Sequence, residues 1–151
     1  MISQRSPMLK DNVFLTQTDT TIGFVSQDAE KLTAIKKRPP HKQYIKAVNS
    51  LQTLTRFTRV PNIHKNRTRR ANKCTFIMPN GHSYRIIKDS QHLLLLNRLT
   101  WAYTTSANLS GEPYNETFAK KEADIVIEPL FANRQASSIV KLGKNNIRRI
   151  R

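Results

Sequence analysis

Thr104-Thr105-Ser106-Ala107-Asn108-Leu109-Ser110-Gly111-Glu112-Pro113 follows directly on the apolar segment Trp101-Ala102-Tyr103. The apolar segment reads as a strand. The small, hydroxyl-bearing residues after it, closed by Gly and Pro, read as a loop. Small side chains let a backbone come close to a polar ligand, and hydroxyl and amide groups then supply hydrogen bonds. Residues two apart on an extended segment point to the same side. Ser106 and Asn108 can therefore reach one ligand together. The alternative is an Asx or Ser turn that only caps its own backbone.

Two upstream stretches sharpen this reading: Thr18-Asp19-Thr20 ahead of Gly23, and Lys36-Lys37-Arg38-Pro39. The pattern predicts a helix from Ala29 to Lys37, with Leu32 and Ile35 facing the core and Pro39-Pro40 stopping it. Arg38, preceding a proline, is biased toward extended geometry. The heads of Lys36 and Arg38 can then converge on one anion. Arginine offers a planar fork and lysine a compact point charge. Taken alone, the pair would also suit a solvated helix terminus that complements the macrodipole.

In this order the three stretches resemble the YrdC-like family, the threonylcarbamoyl-AMP synthases of tRNA modification. That family shows Thr-acid-Thr-x-x-Gly at a strand end, then Lys-x-Arg-Pro, then Thr-Ser-Ala-Asn-x-Ser-Gly-x-Pro. The resemblance runs from about Val13 to at least Val140. It implies one α/β domain of α+β character over residues 1–151, without the extra C-terminal domain of longer members. It also implies a twisted open mixed sheet with flanking helices and a basic concave face that holds the ligands.

The activity implied is condensation of L-threonine, bicarbonate and ATP, accompanied by Mg²⁺, to threonylcarbamoyl-AMP and pyrophosphate. The product then passes to the proteins that transfer the group to tRNA. By the same resemblance, Thr20, Lys36 and Arg85 serve threonine and bicarbonate. Arg38, Ser106, Asn108, Ser137 or Ser138, and Arg149 or its neighbour Arg148 serve ATP. No acid–base residue and no side-chain metal ligand is implied. The sequence departs from the family at Gln17 and Ile22, at Ala71-Asn72-Lys73 in place of Pro-Gly-Pro, and at Ile87, where a proline usually follows. The Thr20–Lys36 interval is also short. A non-catalytic relative that binds double-stranded RNA or tRNA through its basic face is the second reading.

Charge supports an anionic partner under either reading. The 151 residues carry a formal +16. From Lys31 to Lys88 there are fifteen Lys and Arg and not one Asp or Glu. Such a block cannot neutralise itself locally and is suited to phosphates. Cys74 is the only cysteine, so no intrachain disulfide can form. Four scattered histidines (His41, His64, His82, His92) lack metal-ligand spacing, and no Walker or dinucleotide glycine pattern is present. The longest aliphatic run, Leu93–Leu96, is far below the ~20 residues of a membrane span. The N-terminus has no apolar signal region. A cytoplasmic protein with no membrane association is expected.

The remaining chain reads as alternating strands and helices. Met1–Lys10 is expected to be a loose arm. Strands are expected at Val13–Leu15, Ile22–Val25, Tyr44–Val48, Cys74–Met78, Ser83–Ile87, Trp101–Thr105, Ile125–Ile127 and Ser138–Leu142, with a last edge near Ile147–Arg151. Pro79-Asn80-Gly81 signals a hairpin. Ser50 caps a helix carrying Leu51, Leu54 and Phe57. His64–Lys73 is a basic helix or loop. Asp89 or Ser90 caps a helix carrying Leu93, Leu94, Leu96 and Leu99. Another helix spans Glu116–Glu122. Irregular alternation plus a hairpin implies a mixed sheet with helices packed on it.

Overall fold

The structure, a computed structural model, describes residues 9–39, 42–130 and 137–151. Most of the expected N-terminal arm lies outside these, and Leu9–Asp11 forms a single 3₁₀ turn. Among the described residues nine strands form one sheet: β1 (Phe14–Gln17), β2 (Ile22–Ser26), β3 (Ile45–Val48), β4 (Cys74–Ile77), β5 (Ser83–Ile86), β6 (Trp101–Ser106), β7 (Ile125–Val126), β8 (Ser138–Leu142) and β9 (Ile147–Arg149). Their order is β7-β1-β2-β6-β3-β5-β4-β8-β9. The β1·β7, β3·β5 and β4·β8 pairs are parallel and the others antiparallel. The sheet is thus mixed, as expected.

The α-helices of the described residues flank it: α1 (Ala29–Lys36), α2 (Leu51–Leu54), α3 (Lys65–Arg70), α4 (Ser90–Leu99) and α5 (Glu116–Glu122). Alternation along each strand assigns them to faces. Phe14, Val25, Ala47 and Ala102 point to one face and pack on Leu95, Leu96 and Leu99 of α4. Leu15 and Phe24 point to the other and pack on Leu32 of α1 and Ala119 of α5. Further along that second face, Val48, Phe76, Tyr84 and Ile86 pack on Leu54 of α2 and on Val60.

Helix starts follow short polar side chains that accept from the first-turn amides. Asp28 accepts from Glu30 and Lys31, Ser50 from Thr53, Asp89 from His92, and Asn115 from Phe118. Two expectations need correction. Helix α1 ends before its prolines, because Lys37 adopts a left-handed conformation (φ 53°) and the Arg38 amide donates to Thr33 O. On α4, Leu94 is 73% exposed, while His92 and Leu95 join Leu96 and Leu99 inside. The inward stripe is i, i+3, i+4, i+7 starting at His92.

Candidate functional site

The end of β6 and the two upstream stretches meet at one place. Gly23 lies opposite Ser106 in the β2–β6 ladder. A Cβ there would stand 2.9 Å from the Thr105 carbonyl oxygen and 3.0 Å from Thr18 Cγ2. Glycine thus lets the Thr18–Thr21 turn press against β6. Within that turn Thr18 Oγ1 donates to Thr21 O (2.5 Å) and accepts from the amides of Thr20 (3.2 Å) and Thr21 (3.1 Å). The turn is buried and holds the Thr20 hydroxyl in place.

Lys36 is 4% exposed at the end of α1. Its ammonium donates to Ser106 O (2.8 Å) and to Asn108 Oδ1 (3.0 Å). Asn108 Oδ1 also accepts from Ser106 Oγ (2.5 Å), while Asn108 Nδ2 donates to Leu109 O (3.1 Å) and Glu112 O (2.7 Å). The loop therefore takes the turn reading. It caps its own backbone, and through those bonds it fixes a buried cation. Burial first, and the Arg38 charge second, lower the Lys36 ammonium to a pKa of about 8.

Arg38 follows the helix and lays its guanidinium 4.6 Å from the centre of the Tyr44 ring. It borders a hollow of about 340 Å³. Thr20, Arg85, Ser106, Ser137 and Arg151 also line this hollow. Lys36 and Asn108 stand behind Ser106, bonded to it. Six sequence-selected residues, Thr20, Lys36, Arg38, Arg85, Ser106 and Asn108, thus gather at or just behind the hollow, from three elements and three loops.

Arg85 points inward from β5 and is 5% exposed. Its Nη1 donates to Thr20 Oγ1 (3.3 Å) and lies 3.7 Å from Asp19 Oδ1. An inward arginine needs an anion, and Asp19 supplies part of it. The match is incomplete, since Asp19 Oδ1 and Arg85 Nε have no hydrogen-bond partner. Burial raises the Asp19 carboxyl above its ordinary value against the opposing Arg85 charge. His92 lies beneath on α4, and burial together with the Arg85 charge holds its pKa at about 4, so it is neutral at pH 7.

The late segment differs from expectation in register. Ser137 is buried, shares a hydrogen bond with Thr75 Oγ1 (2.9 Å), and lines the hollow. Ser138 begins β8 opposite Cys74 and does not. Arg148 and Arg149 sit in exposed edge strand β9 and stay outside the lining. The lining arginine is Arg151, whose Nε and Nη2 donate to Ser137 O (3.0 and 2.8 Å). The amides of Ile150 and Arg151 both donate to Ile139 O. That extra residue breaks the simple alternation, so counting along the strand could not find Arg151. Asp19 was also missed as a counterion, although Thr-acid-Thr marked its position.

Among the described residues no group of three or more His, Cys, Asp or Glu could hold a metal ion. No helix among them is long and apolar enough to cross a membrane.

The arrangement defines an α/β sheet protein with a hollow walled by cations and hydroxyls and suited to small anionic ligands. The chain belongs to the Sua5/YciO/YrdC family, whose model (described as "Telomere recombination") matches residues 8–151. Similar solved structures include Sua5 of P. abyssi, in a variant form (TM-score 0.79, 15% identity, covering 95% of this chain and 53% of that one). A second Sua5 structure is complexed with L-threonine (TM-score 0.78, 15% identity, 95% and 51%). E. coli YciO gives a TM-score of 0.74 at 15% identity, covering 93% and 82%. HypF in a phosphate- and nucleotide-bound form gives 0.74 at 19% identity, covering 95% and 27%. The chain spans about half the length of Sua5. No curated protein sequence matches significantly.

Proposed function

We propose that the protein is an L-threonylcarbamoyladenylate synthase, forming threonylcarbamoyl-AMP and pyrophosphate from L-threonine, bicarbonate and ATP for tRNA modification. The observation that carries this reading is the convergence of Thr20, Arg38, Arg85 and Ser106 on one hollow, with the Lys36 ammonium bonded to the Ser106 carbonyl behind it. The binding of L-threonine by Sua5, and of phosphate and nucleotide by HypF, supports it.

The reaction must gather three anionic species and suppress their repulsion. Arg85, only partly matched by Asp19, offers its guanidinium to the threonine carboxylate, beside the Thr20 hydroxyl. The threonine amine attacks bicarbonate carbon, and water leaves to give the carbamate. A carbamate oxygen then attacks the α-phosphorus of ATP, and pyrophosphate leaves. Arg38 faces the negative charge that builds at the phosphoryl oxygens, and the Lys36 charge, held behind Ser106 before the ligand arrives, offsets that of bicarbonate and the carbamate. Fixing reactants side by side supplies most of the remaining acceleration. The lining offers hydroxyls and cations rather than carboxylates, so Mg²⁺ enters with ATP as part of that substrate. The proteins that transfer the threonylcarbamoyl group to tRNA are the expected recipients.

The test is pyrophosphate release with ATP, threonine, bicarbonate and Mg²⁺. Turnover should require both threonine and bicarbonate. Lys36→Ala and Arg38→Ala should each lower it by at least 100-fold, on the order of 3 kcal/mol of lost charge stabilisation, with the circular dichroism spectrum retained. Release independent of threonine, or wild-type rates in both variants, would reject the assignment. The acid-free block favours a second reading, a non-catalytic relative that binds double-stranded RNA or tRNA through the face carrying the hollow. Duplex binding without pyrophosphate release would select it.

A further inference from the structure

We propose that the sheet face opposite the hollow carries a second binding groove, for an unpaired nucleotide of an RNA strand. This does not rest on the synthase reading, because the two sites use opposite faces of β3 and β6. Ile45 and Thr104, paired across the ladder, line the hollow. The next pair, Lys46 and Tyr103, lines the groove on the other side.

The groove holds about 360 Å³. Phe57, Tyr44 and Tyr103 wall it, with Trp101 edge-on to Tyr103 at 5.3 Å between ring centroids. In their midst stands Lys46, its ammonium 4.0 Å from the Phe57 centroid, 4.6 Å from Trp101 and 5.3 Å from Tyr103. No hydrogen bond or ion pair among the described residues holds this ammonium. Ring faces stabilise the cation but leave its three N–H donors unmatched.

Other donors gather beside it. Tyr84 OH accepts from Asn80 Nδ2 (3.1 Å), which leaves its own O–H free to donate. The Ser83 hydroxyl and the exposed His82 imidazole line the same space. No carboxylate lines it, and residues 44–84 fall wholly within the acid-free block.

Charged donors beside aromatic walls match a phosphate next to a flat base. Base–aromatic contacts are the usual basis of single-strand recognition. A duplex keeps its bases stacked inside and cannot offer one to a recessed groove. Lys46 receives the phosphate, and the base packs at the groove mouth against Tyr103, Phe57 and His82.

Trp101 is the only tryptophan and stands behind Tyr103 with the Lys46 ammonium over its ring, so its emission senses a ligand that draws on Lys46. The experiment titrates the full chain with an end-labelled ten-nucleotide oligoadenylate and with the same strand paired to oligouridylate. Anisotropy and Trp101 emission are read together. The single strand should bind at least fivefold more tightly than the duplex and quench Trp101. Lys46→Gln should weaken single-strand binding about tenfold and reduce the salt slope by about 0.7. Arg69→Gln, an equal charge change on α3 outside the groove, should alter it less than twofold. His82→Ala, at an exposed turn where folding is not at risk, should weaken it about threefold. Failure of the single strand to bind would overturn the proposal. So would equal or tighter duplex binding, unchanged Trp101 emission at saturation, or equal losses in Lys46→Gln and Arg69→Gln.

Discussion

Lys36 shows how one side chain joins fold and chemistry. Its ammonium is anchored by the Ser106 carbonyl and the Asn108 amide oxygen, and burial makes it easier to deprotonate than an ordinary lysine. If the hollow binds anions through the charged form, affinity must fall as pH passes about 8. A group titrating there is mostly charged at pH 7 and mostly neutral at pH 9, so ATP should bind about tenfold more weakly at the higher pH. Calorimetric titration checks this. Lys36→Ala should flatten the profile, and a flat profile in the wild type would contradict the role given to the ammonium.

Asp19 and Arg85 make the complementary case. Removing Arg85 leaves a buried carboxylate unpaired, and Arg85→Ala should cost about 3 kcal/mol at pH 8. Without the guanidinium the folded carboxyl holds its proton still more tightly. The folded state then binds more protons than the unfolded one, so the variant loses stability as pH rises through the folded pKa. Urea denaturation should therefore show a smaller deficit against wild type at pH 4.5 than at pH 8. An equal deficit at both would remove the ion pair from the account. The motif residues around this pair could be read from the sequence because each is a special type at fixed spacing. Arg151 could not, since its position depends on two amides sharing the Ile139 carbonyl.

At the scale of elements, position was legible wherever short polar caps and apolar runs agreed, and the inward face was not always so. Helix α4 carries four consecutive leucines, Leu93–Leu96, a run that cannot itself say which of them turns inward. The decisive residue is His92, polar by type yet 1% exposed. Leu96→Ala should cost about 3 kcal/mol, because the cavity opens under fully buried Phe14 and Val25. Leu94→Ala should fall within about 0.5 kcal/mol of wild type. Thermal or urea unfolding separates them, and comparable losses would mean the helix is rotated from its place here. The expected start of α1 at Ala29 holds, with Asp28 capping it, whereas its end is set by the left-handed Lys37 rather than by the prolines.

At the scale of the molecule, hydrophobic pattern located the strands but not their order. Nothing in local periodicity puts β7 beside β1, or β3 between β5 and β6, because pairing across long crossovers is decided by packing. The family resemblance implies a mixed sheet with flanking helices, and the structure supplies the order. The +16 charge is laid out on the same plan. Cations gather where strand ends and loops meet, and the acid-free block covers both faces around β3.

On the proposed function, residues distant in sequence hold threonine and a nucleotide in one hollow. A crystal structure with L-threonine and a non-hydrolysable ATP analogue at saturating concentration tests it most directly. The amino-acid carboxylate should lie against Arg85 and the Thr20 hydroxyl, with phosphates between Arg38 and the Lys36-anchored Ser106 loop. Both ligands bound elsewhere, or the hollow left empty at saturation, would contradict the account.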